Sequence, residues 1–200
     1  MINIALLKGE LLGWAEIQLP DFKAIILVSP KGLVALEPFF YTAEVAEKQW
    51  SEQLASLAIA GITPLTAKLS AEWFQRINQA LAKETLIKDL PLDLQGTPFQ
   101  LAVWAALLNI PKGEILSYSQ LAAKVGKPKA VRAIGSACGA NPIPFLVPCH
   151  RILRSDGSLG GFAFGLMMKQ ALLNREKVEG KKALCTLLKA RSPAKKYLFT

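Results

Sequence analysis

The chain has 200 residues, 52% of them hydrophobic and 20% charged, with a formal net charge of +9. That is enough apolar material to bury a sizeable core, as one domain or two small ones, and it excludes disorder over the whole length. Three cysteines, at 138, 149 and 185, and a single histidine are too few and too scattered for a disulfide framework or a structural zinc site, so no metal is expected and a reducing, intracellular compartment is.

No stretch reads as a bilayer span, and Met1 to Leu11, interrupted by Lys8 and Glu10, does not read as a secretory signal. The positive charge is unevenly spread: residues 1–90 hold 8 Lys+Arg against 10 Asp+Glu, and residues 91–200 hold 16 against 5. Such asymmetry points to a polyanionic partner, because neutralised phosphates release counterions. The alternative is a solvated tail, since Lys177 to Thr200 carries seven basic residues and one acid.

In chain order, Ile2–Leu7, Gly13–Leu19 and Lys23–Val28 are short and β-branched or alternating, and the turn Ser29-Pro30-Lys31-Gly32 leads into Leu33–Leu36, which together predict an antiparallel sheet. From Ala43 to Leu86 the spacing becomes helical, with Trp50, Leu54, Leu57 and Ala58 on one stripe. After a break at Gly61–Pro64, Trp73, Phe74, Ile77 and Leu81 form a second. Helices packed on a sheet make residues 1–90 an α+β domain. Lys88 to Gln95 lacks periodicity and holds a proline, so the linker is placed there.

A mainly helical domain is expected over 91–178, followed by a basic tail over 179–200. Thr97, Pro98 and Gln100 occupy the cap, first and third positions of a helix that carries Leu101, Trp104, Ala105 and Leu108 and stops near Ile110-Pro111. Ser117 and Gln120 open a second helix, through Leu121, Ala122 and Val125, ending at Gly126. Pro128 opens a third, through Cys138 and closed by Gly139. Two short helices and a tight turn form a helix-turn-helix candidate. The second of them is nearly bare: Ala130, Ala133, Gly135, Ser136 and Ala137 are small, and Arg132 is the long side chain among them. Such a helix suits close approach to a minor groove, with one arginine free to enter the base stack. Equally, it suits tight packing on a neighbouring helix.

The segment Asn141 to Arg151 (NPIPFLVPCHR) holds three prolines, which rule out a regular helix or central strand and stiffen an irregular path. It delivers Cys149 beside His150. A thiol attacks as the thiolate, and an imidazole is one way to take its proton. Adjacent residues of an extended chain face opposite ways, so a bridging water or a turn is required.

This stretch resembles the signature of the O6-alkylguanine–DNA alkyltransferase family. The likeness also takes in Gly96–Gln100, Val103-Trp104, Ile110 to Glu114, Ser117-Tyr118, Leu121-Ala122, Ala130 to Gly135, Gly157 to Gly161, Lys169, Leu172-Leu173 and Glu176. The resemblance implies an RNase H-like N-terminal part and single-turnover, direct-reversal DNA repair without a cofactor. Its partner would be double-stranded DNA bearing O6-alkylguanine, docked through the minor groove, bound by a monomer or cooperatively; O4-alkylthymine stays open as a second substrate. Cys149 would accept the alkyl group, His150 would take its proton through a water, Glu176 would orient His150, and Asn141 would brace the turn. Tyr118 would rotate the nucleotide and give a hydrogen bond to the departing guanine, and Arg132 would fill the gap in the duplex. Ser119, Lys129, Ala130, Ala133, Gly135 and Ser155 would meet DNA. Pro144, Ile152, Phe162 and Ala163 would line the pocket for the adduct, with Ser155 to Phe164 closing over it. Where relatives usually carry tyrosine in that loop, this chain has Phe162, and a bulky Phe164 follows Ala163. Competing readings are a non-catalytic damage sensor, a DNA-binding regulator, and an unrelated Cys-His hydrolase.

Overall fold

The computed structural model describes residues 13–20, 22–39, 52, 55 and 62–177. The expected strand Ile2–Leu7, the stripe of Trp50, Leu54, Leu57 and Ala58, and the tail with Cys185 lie outside the described residues. Two compact units are distinguished, Met1–Thr97 with Pro142–Leu146 and Pro98–Asn141 with Val147–Thr200.

The first unit is α+β. Strands β1 (Gly13–Gln18), β2 (Lys23–Ser29) and β3 (Gly32–Phe39) form an antiparallel sheet in the order β1-β2-β3. β2 is the central strand and is buried from Ala24 to Ser29, which explains why its run of apolar residues does not alternate. The β2–β3 turn requires Gly32: at its φ of +150° a side chain's Cβ would lie 2.3 Å from the Pro91 carbonyl oxygen. That close approach lets the chain after residue 90 run beside β3, with the Leu33 N–H donating to Pro91 O and the Asp93 N–H to Leu33 O. The Asp93 carboxylate accepts from the Ser29 hydroxyl at 2.7 Å and from Gln95 at 3.1 Å. Within the segment read as the linker, Lys88 to Gln95, Pro91 and Asp93 are therefore pinned by backbone bonds whose partner, Leu33, lies far away in sequence. Helix α1 (Ala67–Ala82) packs on β1 and buries Trp73, Ile77 and Ala80. The expected Phe74 and Leu81 are half-buried on the flanks of that stripe.

The second unit is helical. Helix α2 (Pro98–Leu108) buries Val103, Trp104 and Leu107, and the Trp104 indole donates to Ala137 O at 2.9 Å. Helix α3 (Tyr118–Lys124) carries the expected capping box, with the Ser117 hydroxyl accepting from the Gln120 N–H and the Gln120 side chain accepting from the Ser117 N–H. It ends before Gly126, whose φ of +71° is left-handed. Helix α4 (Val131–Gly139) starts three residues later than Pro128. Lys127 to Ala130 form a separate turn, closed by the Ala130 N–H on Lys127 O, and the helix begins after it. Gly139 is the last helical residue, as expected of the residue that closes this helix, and Ala140 takes the cap. Strands β4 (Leu116–Ser117) and β5 (Ile152–Leu153) pair in parallel, and helix α5 (Leu166–Arg175) follows a left-handed Gly165. Among the described residues no helix is long and apolar enough to cross a membrane.

Candidate active site

The turn that brings Cys149 into place is built from its prolines. Pro148 has φ −83° and ψ 62°, and the Cys149 N–H donates back to Val147 O at 2.8 Å, which is an inverse γ-turn. Residues Cys149–Arg151 then wind into one 3-10 turn before β5. The Asn141 amide spans this corner, donating to Val147 O at 2.8 Å and to Cys149 Sγ at 3.3 Å. Burial pushes the Cys149 thiol up, while the Asn141 hydrogen bond and the Lys169 charge oppose that shift. The thiol is 8% exposed.

His150 does not bond to Cys149. Its Nε2 meets Glu176 Oε1 at 2.8 Å, and its buried Nδ1 has no hydrogen-bond partner among the described residues. Burial lowers the His150 pKa, against the raising effect of Glu176, so the neutral imidazole is favoured. An ionised carboxylate only accepts, so Nε2 carries the proton and Nδ1 keeps the lone pair. Burial would raise the Glu176 carboxyl, but hydrogen bonds from His150 and Arg151 bring it down to about 2. Arg151 contributes two of those bonds, Nε to Oε2 at 2.9 Å and Nη2 to Oε1 at 2.8 Å, and its Nη1 donates to Ile110 O. This fork fixes the carboxylate's orientation and hence the histidine tautomer. Glu176 itself is positioned as the cap residue of α5.

Tyr118, half-buried at the start of α3, points its hydroxyl at Gly161 O, 3.4 Å away. Burial raises its pKa, and the nearby Cys138 and Cys149 thiols add to that rise. Lys169 is 0% exposed, and its ammonium donates to the carbonyls of Ile152, Leu159 and Gly161 and lies 5.8 Å from the Tyr118 ring centroid. Burial brings it down to about 8, against the opposing pull of the two thiols. Sequence reasoning assigned no role to Arg151 or Lys169. A signal for the lysine existed: it shares the buried face of α5 with Leu173, four residues on, where a charge is out of place unless it has partners.

The structure brings Asn141, Cys149, His150 and Glu176 into one hydrogen-bonded chain apart from the Cys149–His150 step. Arg132 and Ala133 are exposed on α4 together with Val131 and Ser136, Lys129 is exposed just before it, and Ala130 and Gly135 are half-buried. Ser119 and Ser155 share a hydroxyl contact of 3.1 Å, and Ser119 also meets Ser117 at 2.9 Å. Phe162 stacks edge-on against Phe164 at 5.6 Å, with the exposed Ala163 between them. Ile152 is fully buried in β5, and Pro144 is buried within the segment that belongs to the first unit. Cys138 is a free, buried thiol on α4 whose pKa burial pushes up to about 12. Among the described residues no cluster of three metal-ligating side chains occurs.

Residues 98–178 match the family model for the 6-O-methylguanine DNA methyltransferase DNA binding domain. The regulatory protein ada of Salmonella typhimurium is 52% identical over 105 residues, which are 51% of this chain and 30% of that protein, so this chain spans less than a third of that relative's length. The inducible methylated-DNA–protein-cysteine methyltransferase of Bacillus subtilis is 37% identical over 168 residues, 82% of this chain and 89% of that one. A crystal structure of Mycobacterium tuberculosis OGT in complex with DNA aligns with a TM-score of 0.63 at 32% identity, covering 83% of this chain and 93% of that one.

Proposed function

The chain belongs to the 6-O-methylguanine DNA methyltransferase family, and from that premise we propose that it repairs O6-alkylguanine in duplex DNA by direct reversal, moving the alkyl group irreversibly to Cys149. One observation carries this reading. Cys149 Sγ accepts a hydrogen bond from Asn141, while the neighbouring His150 has Nε2 held by Glu176 and a buried Nδ1 to which no described residue bonds. With Nε2 protonated and held by Glu176, Nδ1 carries the basic lone pair, which can take the thiol proton through one bridging water.

The thiol proton passes to His150 Nδ1, and the resulting imidazolium is stabilised by Glu176, which Arg151 holds ionised. The thiolate attacks the alkyl carbon in line; the S–C bond forms as the C–O6 bond breaks, and the electron pair leaves with guanine. Tyr118 donates to the departing base, where negative charge develops only as the bond breaks. The product is a thioether, which water does not reopen, so each molecule acts once.

To reach the sulfur the base must leave its stack, and an alkylated pair costs less to open. The exposed face of α4, small but for Val131 and Arg132, suits close approach to a minor groove, with the arginine occupying the vacated position. A relative of similar fold has been crystallised in complex with DNA, which supports DNA as the partner. Phe162 in the closing loop offers the base no hydroxyl, which leaves stabilisation of the leaving group to Tyr118.

Incubation with a duplex carrying labelled O6-methylguanine, followed by intact mass and peptide mapping, tests the reading. One methyl per molecule on Cys149, abolished by Cys149→Ser, is expected. Binding to the damaged duplex without uptake would identify a damage sensor, and repeated turnover of an ester or amide would identify a hydrolase; either result overturns the proposal.

A further inference from the structure

Between Asn141 and Cys149 the chain has little conformational freedom. Pro142, Pro144 and Pro148 have fixed φ, and Asn141, Ile143 and Val147 are each restricted by the proline that follows. The direction in which the chain returns to the γ-turn is therefore set chiefly at Phe145 and Leu146. Phe145 has φ +70°, a left-handed conformation that a bulky aromatic residue rarely adopts. Such a conformation persists only where surrounding contacts over-determine it. Those contacts are present: the Phe145 ring is 9% exposed and meets the Phe22 ring at 5.1 Å, and the Leu36 N–H of β3 donates to Pro142 O at 2.9 Å.

We propose that Phe145 is a positioning residue for the nucleophile: its left-handed backbone, held by the Phe22 ring and by the Leu36–Pro142 hydrogen bond, fixes the path to Pro148 and thereby the Asn141–Cys149 contact. The inference rests on Cys149 being the alkyl acceptor. Its physical content is that the side chain of Phe145 opposes the backbone conformation that its packing imposes. Removing the packing and removing the opposition therefore have different consequences. Phe145→Ala loses the ring but keeps the Cβ that disfavours positive φ, so the segment relaxes away from its working path. Phe145→Gly loses the ring as well, yet glycine adopts positive φ freely, so the path survives. A residue that served only to fill space would make glycine at least as damaging as alanine.

The test uses the full chain and two readouts: single-turnover methyl uptake from an O6-methylguanine duplex, and the rate of Cys149 carboxamidomethylation by iodoacetamide as a function of pH. Phe145→Ala and Phe22→Ala are expected to slow methyl uptake roughly tenfold and to displace the iodoacetamide profile to higher pH, because the thiolate loses the Asn141 donor. Phe145→Gly is expected to stay within about threefold of the parent with its profile unmoved, and adding it to Phe22→Ala should restore the parent profile. If Phe145→Gly is as slow as Phe145→Ala, or if Phe22→Ala changes neither readout, the inference is overturned. Should Phe145→Ala fail to fold, the comparison of Phe22→Ala with Phe22→Ala/Phe145→Gly decides it. Absence of methyl uptake by the parent would defeat the functional reading instead, while the order of the iodoacetamide profiles still decides whether Phe145 positions the sulfur.

Discussion

Tyr118 and Gly160 occupy one another's space. At Gly160, φ is +66°, and a Cβ placed there would lie 2.9 Å from Tyr118 Cε2 and 3.2 Å from its hydroxyl. Gly160→Ala must therefore move the phenol or bend the loop. A destabilisation of about 1–2 kcal/mol is expected from the left-handed backbone alone. If Tyr118 serves the departing base, methyl transfer should slow by about 10–100-fold in single-turnover measurements. A Gly160→Ala protein that transfers at the parent rate, together with a Tyr118→Phe protein that does the same, would remove the Tyr118 hydroxyl from the mechanism.

Glu176 and His150 give the site a second signature, in acid. His150 has a lowered folded-state pKa, so below its ordinary value of 6.5 the unfolded chain takes up the proton first and stability falls. Glu176 is lowered from 4.5 to about 2, so the stability it contributes is complete above 4.5 and is lost as the pH falls through that interval to about 2. The interval corresponds to roughly 3 kcal/mol, and the 10% exposure of the side chain leaves little solvent screening to discount. Urea midpoints measured from pH 7 to pH 2.5 should show the parent declining in two stages. Glu176→Gln should be weaker at neutral pH and lack the second stage, so that the two curves converge below pH 4. Parallel curves would mean that Glu176 is not held ionised by Arg151 and His150.

At the scale of elements, what could be read from the sequence followed the range of the interaction. The Ser117–Gln120 capping box joins residues three apart, and its presence in the structure at the start of α3 matches the pattern. The Trp73–Ile77 spacing likewise reports one turn of α1. The β4–β5 pair was invisible, because two residues carry no periodicity and Leu116 pairs with Ile152, far away in sequence. Helix α4 was expected too early, since Pro128 is compatible with a first helical position but lies inside a separate turn. In the site, Cys149, His150 and Asn141 share one short segment, so local chemistry singled out the cysteine and histidine. Glu176 came from family resemblance, since nothing in its local sequence points to a histidine 26 positions upstream. Arg151 and Lys169 went without roles because their partners are backbone carbonyls and a distant carboxylate, which no side-chain pattern announces.

The charge asymmetry belongs to the whole molecule, and its consequence is an affinity that depends on salt. Residues 91–200 carry 16 basic side chains against 5 acidic, so a DNA-bound state releases counterions and its affinity should fall steeply between about 50 and 200 mM salt. Two exposed cations near the start of α4 are expected to behave differently within that shared field. Lys129, as a phosphate contact, should on conversion to Gln weaken binding to any duplex, flatten the slope of log affinity against log salt by about 0.9, and leave the transfer rate at saturating DNA unchanged. If Arg132 enters the stack as proposed, it stabilises the flipped state and neutralises no phosphate of the docked one. Arg132→Ala should therefore keep the parent slope on undamaged DNA and slow transfer at saturating DNA by about tenfold or more. Anisotropy titrations across that salt range, paired with single-turnover rates, separate the two roles. A full unit lost from the slope with the rate intact would make Arg132 a phosphate clamp, and the base would then have to be held out of the duplex by some other residue.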